Sequence, residues 1–306
     1  MGRLVEKNVA GIRLLGFSLA GEETVVAAPE LNVCFDVGRA PREIISIDTV
    51  CVSHGHMDHA AGVAYYFSQR GFVGAPAGRV VVHRALAQHF QQLMAVWADI
   101  EGHPSPGEVI GVHPLADVPI RRGLAVRPFA VEHGAYALGY SLIESRHKLK
   151  PEHAGKTGPQ LVELKKRGVE IEDRIEVPLI TYTGDTAVGR FLDLPFVRQT
   201  RVLILECTFF ERDHVSRARA GYHIHIVDLP EVLAAVPDAH ILITHVTRRT
   251  DLRQAMRIFE RAVPAREQER ISFLMDRPSK RAFTGQAPPR NESPMPDKQA
   301  NAGKPR

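Results

Sequence analysis

A dense group of metal-binding side chains, directly after a strand-like run, constrains this chain more than any other feature. The mostly apolar run from Ile45 to Val52 predicts a strand, and the next seven residues read Ser-His-Gly-His-Met-Asp-His. Unliganded imidazoles packed this closely would gain charge and repel one another as the pH falls, whereas a bound cation removes that problem. A polar turn without metal is the alternative, but His54, His56, Asp58 and His59 predict a metal site.

Strand and helix patterns alternate along the whole sequence, and this alternation predicts the α/β class. With 306 residues, 44% of them hydrophobic, the chain can bury the core of one large domain or two small ones. Strands are predicted at Thr24–Ala27, Leu31–Asp36, Thr49–Ser53, Arg79–His83, Leu124–Pro128, Ala137–Ile143, Leu179–Thr183, Val202–Glu206, Ile241–Thr244 and Ile271–Leu274, and helices at Ala60–Arg70, Arg84–Ala98, Leu229–Val236 and Asp251–Val263.

The cysteines and the apolar runs indicate where such a protein works. Cys34, Cys51 and Cys207 are an odd number in apolar contexts, which indicates buried thiols in a reducing compartment. No apolar run reaches the length of a membrane span, and the N-terminus lacks a secretory pattern. We therefore expect a cytoplasmic protein with no membrane partner.

Basic charge is concentrated in two segments. Residues 281–306 carry +3 of the net charge of +4 and are poor in apolar residues, so we expect a domain over 1–280 and a disordered tail over 281–306. The tail has either no role or an accessory contact with a polyanion. Residues 145–167 carry a local charge of +5 inside an expected excursion from the core over 144–178. That stretch either contacts phosphates or is a solvated loop.

Three further candidate ligands follow predicted strands. A two-metal hydrolytic site needs another histidine for each metal and a carboxylate between them. His133, Asp185 and His245 each come directly after a predicted strand, where a sheet can direct them to one point. Each alone is more typical of a cap or turn residue, but together with the first motif they predict one site.

In this order, the motif His54-x-His56-x-Asp58-His59 followed by His133, Asp185 and His245 resembles the metallo-β-lactamase superfamily. The resemblance covers about residues 25–275 and implies a four-layer αβ/βα sandwich with the metal site at one edge of the two sheets. The segment around Asp36 is similar to an upstream turn whose aspartate supports the metal loop. The implied fold class is thus α/β, of the metallo-β-lactamase type.

The resemblance also implies how the ligands divide between two zinc ions, for which manganese, iron or cobalt are alternatives. Asp185 would bridge the two metals, whose shared water becomes the attacking hydroxide, and Asp58 would also help to orient that water. By this resemblance His54, His56 and His133 would hold the first metal, and Asp58, His59 and His245 the second.

Further residues resemble the ribonuclease Z branch, whose nucleases trim the 3′ ends of precursor tRNA. They are the segment Glu206-Cys207-Thr208-Phe209-Phe210, His223, and Tyr140 seven residues after His133. The resemblance implies that Glu206 positions His223, which protonates the leaving oxygen. A strand-end carboxylate and a surface histidine are the alternatives. His225 would point the same way as His223 in an extended segment, so either histidine could reach the site, and spacing favours His223.

The expected function is therefore a zinc-dependent hydrolase, a phosphodiesterase or endoribonuclease of ribonuclease Z type. Its substrate would be a tRNA precursor or a smaller phosphodiester, because the arm that clamps tRNA in that branch is short here. A hydrolase of a thioester, lactone or β-lactam with no tRNA role is the first alternative, and a metal-binding sensor the second. The helix around Trp97 is expected to pack in the core or to form a homodimer face.

Overall fold

The computed structural model of this chain describes residues 4–134 and 136–276. The strands in this part are β1 Val5–Val9, β2 Ile12–Ala20, β3 Glu23–Ala28, β4 Val33–Phe35, β5 Thr49–Cys51, β6 Gly78–His83, β7 Gly107–Val112, β8 Val118–Arg121, β9 Leu124–Ala130, β10 Leu138–Leu149, β11 Glu172–Tyr182, β12 Val202–Glu206, β13 His240–Thr244, β14 Val246–Thr247 and β15 Ile271–Phe273. The helices are α1 Met57–Ala60, α2 Val63–Phe72, α3 Arg84–Glu101, α4 Gly158–Lys166, α5 Pro195–Arg198, α6 Val215–Gly221, α7 Leu229–Ala235, α8 Leu252–Ala262 and α9 Ala265–Gln268.

Two mixed sheets carry the fold. The first has the order β1-β2-β3-β4-β5-β6-β7, with β14 pairing beside β2. Its first four strands are antiparallel neighbours, and β4 to β7 run parallel. The second sheet has the order β15-β13-β12-β11-β10-β9-β8, in which β11, β12, β13 and β15 are parallel. Such parallel strands require crossover connections, which helices supply here.

Alternating side chains on the central strands create four layers. In β4, Val33 and Phe35 enter the core between the two sheets, while Cys34 faces the other way. In β12, Ile204 enters the same central core, and Leu203 and Leu205 face the opposite side of their sheet. Each outer face is covered by helices, with α2 and α3 on the first sheet and α7 and α8 on the second. The expected four-layer αβ/βα sandwich is therefore confirmed.

All ten predicted strands occur, as β3 to β6, β9 to β13 and β15. The four predicted helices correspond to α1–α2 together, α3, α7 and α8. The hairpin of β1 and β2, the edge strands β7 and β8, and the short β14 were not predicted. Glycines at Gly16, Gly107 and Gly111 weaken the strand pattern there.

The segment between residues 144 and 178 is a projecting hairpin. The predicted strands end at Ile143 and begin again at Leu179, but β10 continues to Leu149 and β11 already begins at Glu172. From Glu144 to Leu149, β10 pairs with β11. The pairing of β10 with β9 ends where Glu144 meets Leu124, so β9 does not extend along this outer part. The hairpin ends in α4, which has Thr157 and Gln160 as a capping box. We call residues 144–178 the arm.

Other expectations meet the structure in different ways. Cys34, Cys51 and Cys207 are buried free thiols. Trp97 is partly exposed on α3, beside other exposed apolar residues of that helix, so its core alternative is wrong and the homodimer face stays a prediction. Within the described residues, none of the helices combines the length and apolarity that crossing a bilayer would take. The predicted tail over 281–306 lies outside the described residues.

Candidate metal centre

Five strands end at the same edge of the sandwich, and each delivers a polar side chain there. The turn after β5 carries the histidine-rich motif, and the hydrogen bond from Leu138 N to Ser53 O (2.8 Å) joins this turn to the second sheet. His133 follows β9, Asp185 follows β11, Glu206 ends β12, and His245 follows β13. Sequence positions nearly 200 residues apart therefore meet in one place.

The first group contains three of the predicted histidines. His54 Nε2 lies 2.8 Å from His56 Nδ1, and His133 Nε2 lies 3.4 Å from the same atom. Asp185 Oδ2 lies 3.8 Å from His54 Nε2 and 3.9 Å from His133 Nε2. One donor atom from each of these four residues falls within 4.8 Å of all the others, which is a geometry suited to holding a metal ion.

The second group lies next to the first. His59 Nε2 and His245 Nε2 are 3.3 Å apart, and Asp58 Oδ2 lies 3.6 Å from the former and 3.5 Å from the latter. The Gly21 N–H donates to Asp58 Oδ2 at 2.8 Å and holds the carboxylate in place. These three residues form a second set of converging donor atoms.

Asp185 faces both groups. In addition to the contacts with the first group, its Oδ2 is 3.4 Å from His59 Nε2 and its Oδ1 is 3.4 Å from His245 Nδ1. Burial raises the pKa of Asp185, but the neighbouring His245 and His59 lower it by a larger amount, so the pKa lies well below the usual range. A buried anion between two sets of imidazoles is the position that a bridging ligand would take. All seven predicted metal ligands are therefore brought together.

The electrostatics of the groups fit a cation. Burial and the neighbouring His59 lower the pKa of His54 to about 2, so this imidazole is neutral and its lone pair is available. Burial also lowers the pKa of His133. At His59, burial lowers the pKa, but Asp185 and Asp36 outweigh it and raise the pKa well above the usual value. Carboxylates thus stabilise positive charge at the centre of the cluster, where a divalent cation would lie.

Asp36 supports the metal loop from below. Its Oδ1 accepts the Ser53 N–H (2.6 Å), and its Oδ2 accepts the Ser53 hydroxyl (2.8 Å) and the phenol of Tyr182. The same Oδ2 lies 2.7 Å from His59 Nδ1, where it accepts the ring proton. Because Nδ1 donates to Asp36, Nε2 of His59 is the nitrogen that would bind a metal ion on the side of Asp185, as in the carboxylate–histidine arrangement of metal sites.

A second chain of hydrogen bonds supports His245. Thr208 Oγ1 lies 3.0 Å from His245 Nδ1 and donates its own proton to Glu206 Oε2 at 2.7 Å. His245 has φ of 60°, and its N–H donates to Ser18 Oγ at 2.9 Å. Thr208 and Ser18 therefore fix both the ring and the strained backbone of this ligand, so Nε2 is left to face Asp58.

The buried Glu206 and the partly buried His223 form a pair beside the cluster. Glu206 Oε1 lies 2.8 Å from His223 Nδ1 and also accepts the Thr186 N–H at 3.0 Å. Burial lowers the pKa of His223, but the hydrogen bond and the charge of Glu206 outweigh it, and the result is about 9. The imidazole is therefore protonated near neutral pH. Its ring centroid lies 5.0 Å from that of His133 and 5.5 Å from that of His245.

The expectation that His223 and His225 point the same way was wrong. His225 is fully buried; its Nε2 lies 2.8 Å from Glu211 O, and its Nδ1 accepts the Val227 N–H at 3.2 Å. Both ring nitrogens are thus used to hold the backbone of the loop. Of these two histidines, only His223 faces the candidate metal centre.

Three further residues support the centre although no role was predicted for them: Ser18, Thr208 and Tyr182. Thr208 lies inside the predicted Glu-Cys-Thr-Phe-Phe segment, two residues after Glu206, so its proximity was the one available signal. Ser18 comes from an unpredicted strand, and Tyr182 reads as one more apolar residue of β11. The roles of Ser18 and Tyr182 depend on contacts across more than a hundred residues, as the bond between Tyr182 and Asp36 illustrates.

The donor set fits resident metal ions. Five imidazoles and two carboxylates converge, with no thiolate among them, which is the ligand chemistry of catalytic zinc and related ions rather than of a closed structural site. In several of these histidines the second ring nitrogen is bonded to a neighbouring group: Ser53 Oγ for His54, Asp36 for His59, Tyr222 O for His133 and Thr208 for His245.

Comparisons with known proteins agree with this geometry. A family profile described as "Beta-lactamase superfamily domain" matches residues 27–246. The chain is 30% identical over 250 residues to the Arabidopsis thaliana protein tRNase Z TRZ1, which covers 81% of this chain and 89% of the relative. It is 31% identical over 263 residues to tRNase Z TRZ2, chloroplastic, of the same plant, covering 82% and 73% of the two chains.

A solved structure extends the likeness to the fold. The metallo-β-lactamase fold protein YhfI from Bacillus subtilis superposes with a TM-score of 0.53 at 15% identity, over 80% of this chain and 89% of that chain. At this level of identity the likeness concerns the arrangement of sheets and helices.

Proposed function

This chain belongs to the metallo-β-lactamase superfamily, and we propose that it is a zinc-dependent phosphodiesterase of ribonuclease Z type. The proposed substrate is RNA cut near a 3′ end, with a tRNA precursor as the specific candidate. The observation that carries the proposal is the Glu206–His223 pair, which presents a partly exposed, protonated imidazole, held by a buried carboxylate, beside the seven candidate ligands.

The roles of the metal ligands follow from their grouping. His54, His56 and His133 would hold one metal, Asp58, His59 and His245 the other, and Asp185 would contact both. Zinc ions held there would supply Lewis acidity, which activates water and neutralises charge on phosphoryl oxygens. Asp58 belongs to the second group, and its carboxylate is the proposed group that orients the attacking water.

His223 gives the proposal its chemical direction. A ribose 3′-oxygen is a poor leaving group, so its departure from phosphorus requires a proton. His223 can donate that proton from Nε2, because its Nδ1 faces Glu206. Glu206 is a positioning residue that keeps the imidazole protonated and oriented. Hydrolysis of a thioester releases a thiolate, which leaves without a proton and has no comparable need for this acid.

A panel of substrates tests the proposal. Zinc-loaded protein is given bis-p-nitrophenyl phosphate, a precursor tRNA with a 3′ trailer, and a thioester, each with and without a chelator. We expect chelator-sensitive cleavage of the two phosphodiesters and no thioester turnover. If the 3′-oxygen is the protonated leaving group, the RNA products must end in a 3′-hydroxyl and a 5′-phosphate.

Two results would contradict the proposal. One is a thioester rate that exceeds the phosphodiester rate, and the other is a set of RNA products with cyclic phosphate ends. His89→Ala is a suitable control for every histidine variant of the site, because His89 is exposed on α3. Cleavage of the small phosphodiester alone would keep the chemistry and remove tRNA as the substrate.

A further inference from the structure

Large side chains occupy strained, exposed backbone positions in this protein, and two of them lie in loops that also carry His133 or His223. Among the described residues, eight non-glycine residues have positive φ, and three of these are large and more than half exposed: Leu115 (59%), Tyr136 (51%) and Tyr222 (54%). L-residues with bulky side chains rarely adopt this conformation. Since exposed rings gain little from packing, these positions call for an explanation other than core stability.

Tyr222 occupies a position where glycine is usual. It ends α6 in the left-handed conformation (φ 54°, ψ 51°), and the following N–H, of His223, donates to Ala218 O at 2.9 Å. Glycine is the common residue at such helix ends because it has no Cβ to clash. The chain instead places a half-exposed phenol ring there. The Tyr222 carbonyl lies 3.2 Å from His133 Nδ1, so the residue directly adjoins the centre.

Tyr136 lies on the side of the first sheet. It follows His133 by three residues, has φ of 68°, and stacks on the His83 ring with centroids 5.2 Å apart and planes inclined by 25°. His83 ends β6 and accepts the Ala85 N–H at the start of α3. One face of the Tyr136 ring is thus supported by a fixed imidazole, while about half of the residue remains open to solvent.

We infer that Tyr136 and Tyr222 are stacking surfaces for the nucleobases that flank the scissile phosphodiester. Exposed aromatic rings bind the faces of any base, so they give affinity for single-stranded nucleic acid without strict sequence preference. Tyr222 directly precedes the proposed proton donor His223, and Tyr136 follows the candidate ligand His133 by three residues, so each tyrosine belongs to a different loop of the centre. This inference rests on the proposed function, because it assigns a nucleotide to the site.

Binding is the primary test, because it does not require turnover. A labelled single-stranded oligoribonucleotide is titrated by fluorescence anisotropy, beside the same strand with abasic residues at its central positions. The variants are Tyr136→Ala, Tyr222→Ala and the two phenylalanine replacements. Tyr65→Ala is the matched control, since Tyr65 is 51% exposed but lies on α2.

We expect each alanine variant to bind the base-containing strand at least about fivefold more weakly, as loss of a base–aromatic stack predicts. Binding of the abasic strand should be unchanged, the phenylalanine variants should behave as the wild type, and Tyr65→Ala should have no effect. Alanine variants that bind both strands as the wild type does would overturn the inference. So would an equal loss on both strands, because it would indicate a general disturbance of the loop.

Glycine variants separate the ring from the backbone. Tyr136→Gly and Tyr222→Gly suit positive φ and remove the ring, so their melting temperatures should stay within about 4 °C of the wild type. They should lose the preference for bases as the alanine variants do. If the protein cleaves no phosphodiester but shows this base preference, the proposed function fails and the stacking surfaces stand. If the protein cleaves phosphodiesters but shows no base preference, the proposed function stands and the inferred stacking surfaces fail.

Discussion

The two ends of the second sheet use charged side chains in opposite ways. At the metal end, His133, Asp185 and Glu206 are buried, and each contacts several fixed partners. At the arm end, the charges are exposed and form surface ion pairs, such as Arg146–Glu144 at 2.6 Å and Lys165–Glu172 at 3.1 Å. Exposed ion pairs contribute little to the free energy of unfolding, whereas removing one partner of a buried pair leaves an uncompensated charge in the protein interior.

Distance separates the two ends as well. Leu138 adjoins the metal loop through Ser53, and Leu149 lies eleven residues further along the same strand, or about 35 Å at about 3.3 Å per residue. The whole arm over 144–178 holds eight Lys and Arg against seven Asp and Glu, a net charge of +1. The +5 of residues 145–167 is therefore largely balanced by the returning strand. The metal end should control chemistry, and the arm should matter little for a small substrate.

The largest effect is expected at Asp185. Asp185→Asn keeps the shape of the side chain but removes the anion between the two ligand groups, so we expect loss of at least one metal and of measurable turnover. Metal analysis and bis-p-nitrophenyl phosphate hydrolysis measure both. Asp193→Asn, at a surface ion pair with Arg198, is the control. A variant that keeps two metals and the wild-type rate would show that Asp185 is no bridge.

A large but selective effect is expected at His223. His223→Gln should lower kcat/KM on RNA by about 10²–10⁴, the usual contribution of a general acid, while the metal content stays unchanged. p-Nitrophenolate leaves without a proton, so bis-p-nitrophenyl phosphate should be much less affected. Equal losses on the two substrates would assign His223 to structure or metal binding instead of proton donation.

An intermediate effect is expected from the residues behind the ligands. Thr208→Val keeps the volume but removes the hydroxyl between His245 and Glu206, and metal affinity should fall by about 10–100-fold. Thr208→Ser retains the hydroxyl and should restore most of the affinity. Competition with a chromogenic chelator measures it. If the valine variant binds metal as tightly as the wild type, the proposed support of His245 is wrong.

The smallest effect is expected at the arm. Leu149 pairs with Glu172, so an Asn-Gly turn can replace residues 150–171 and close the hairpin. The rate on bis-p-nitrophenyl phosphate should not change. The salt dependence of precursor tRNA binding should change by about two phosphate contacts, in line with the net charge of +2 on residues 150–171. A loss of several contacts would show that the arm is a nucleic-acid clamp despite its balanced charge.

The sequence predicted the elements that carry strong local patterns. Mostly apolar strands precede His133, Asp185 and His245, and each of these side chains lies within three residues of the end of its strand. The fold class and the grouping of seven side chains at one edge therefore agree with the prediction. The roles of those side chains, and of Glu206 and His223, remain proposals that the experiments above test.

Long-range contacts account for what the sequence did not reveal. Ser18 supports His245 from 227 positions away in the sequence. It lies on β2, whose apolar and polar residues alternate too irregularly to predict a strand. His225 diverges from His223 because a local hydrogen bond to Glu211 O turns its ring away, which an extended-segment rule misses. In the arm, β10 and β11 extend through charged residues, where pairing between the strands outweighs the weak strand propensity of Lys and Glu.

Anomalous diffraction at the zinc edge from crystals of the metal-loaded protein tests the central claim most directly. The account predicts two peaks per chain, one within the His54, His56 and His133 group and the other within the Asp58, His59 and His245 group, with Asp185 contacting both. A single peak, no peak, or metal bound outside these seven residues would contradict it.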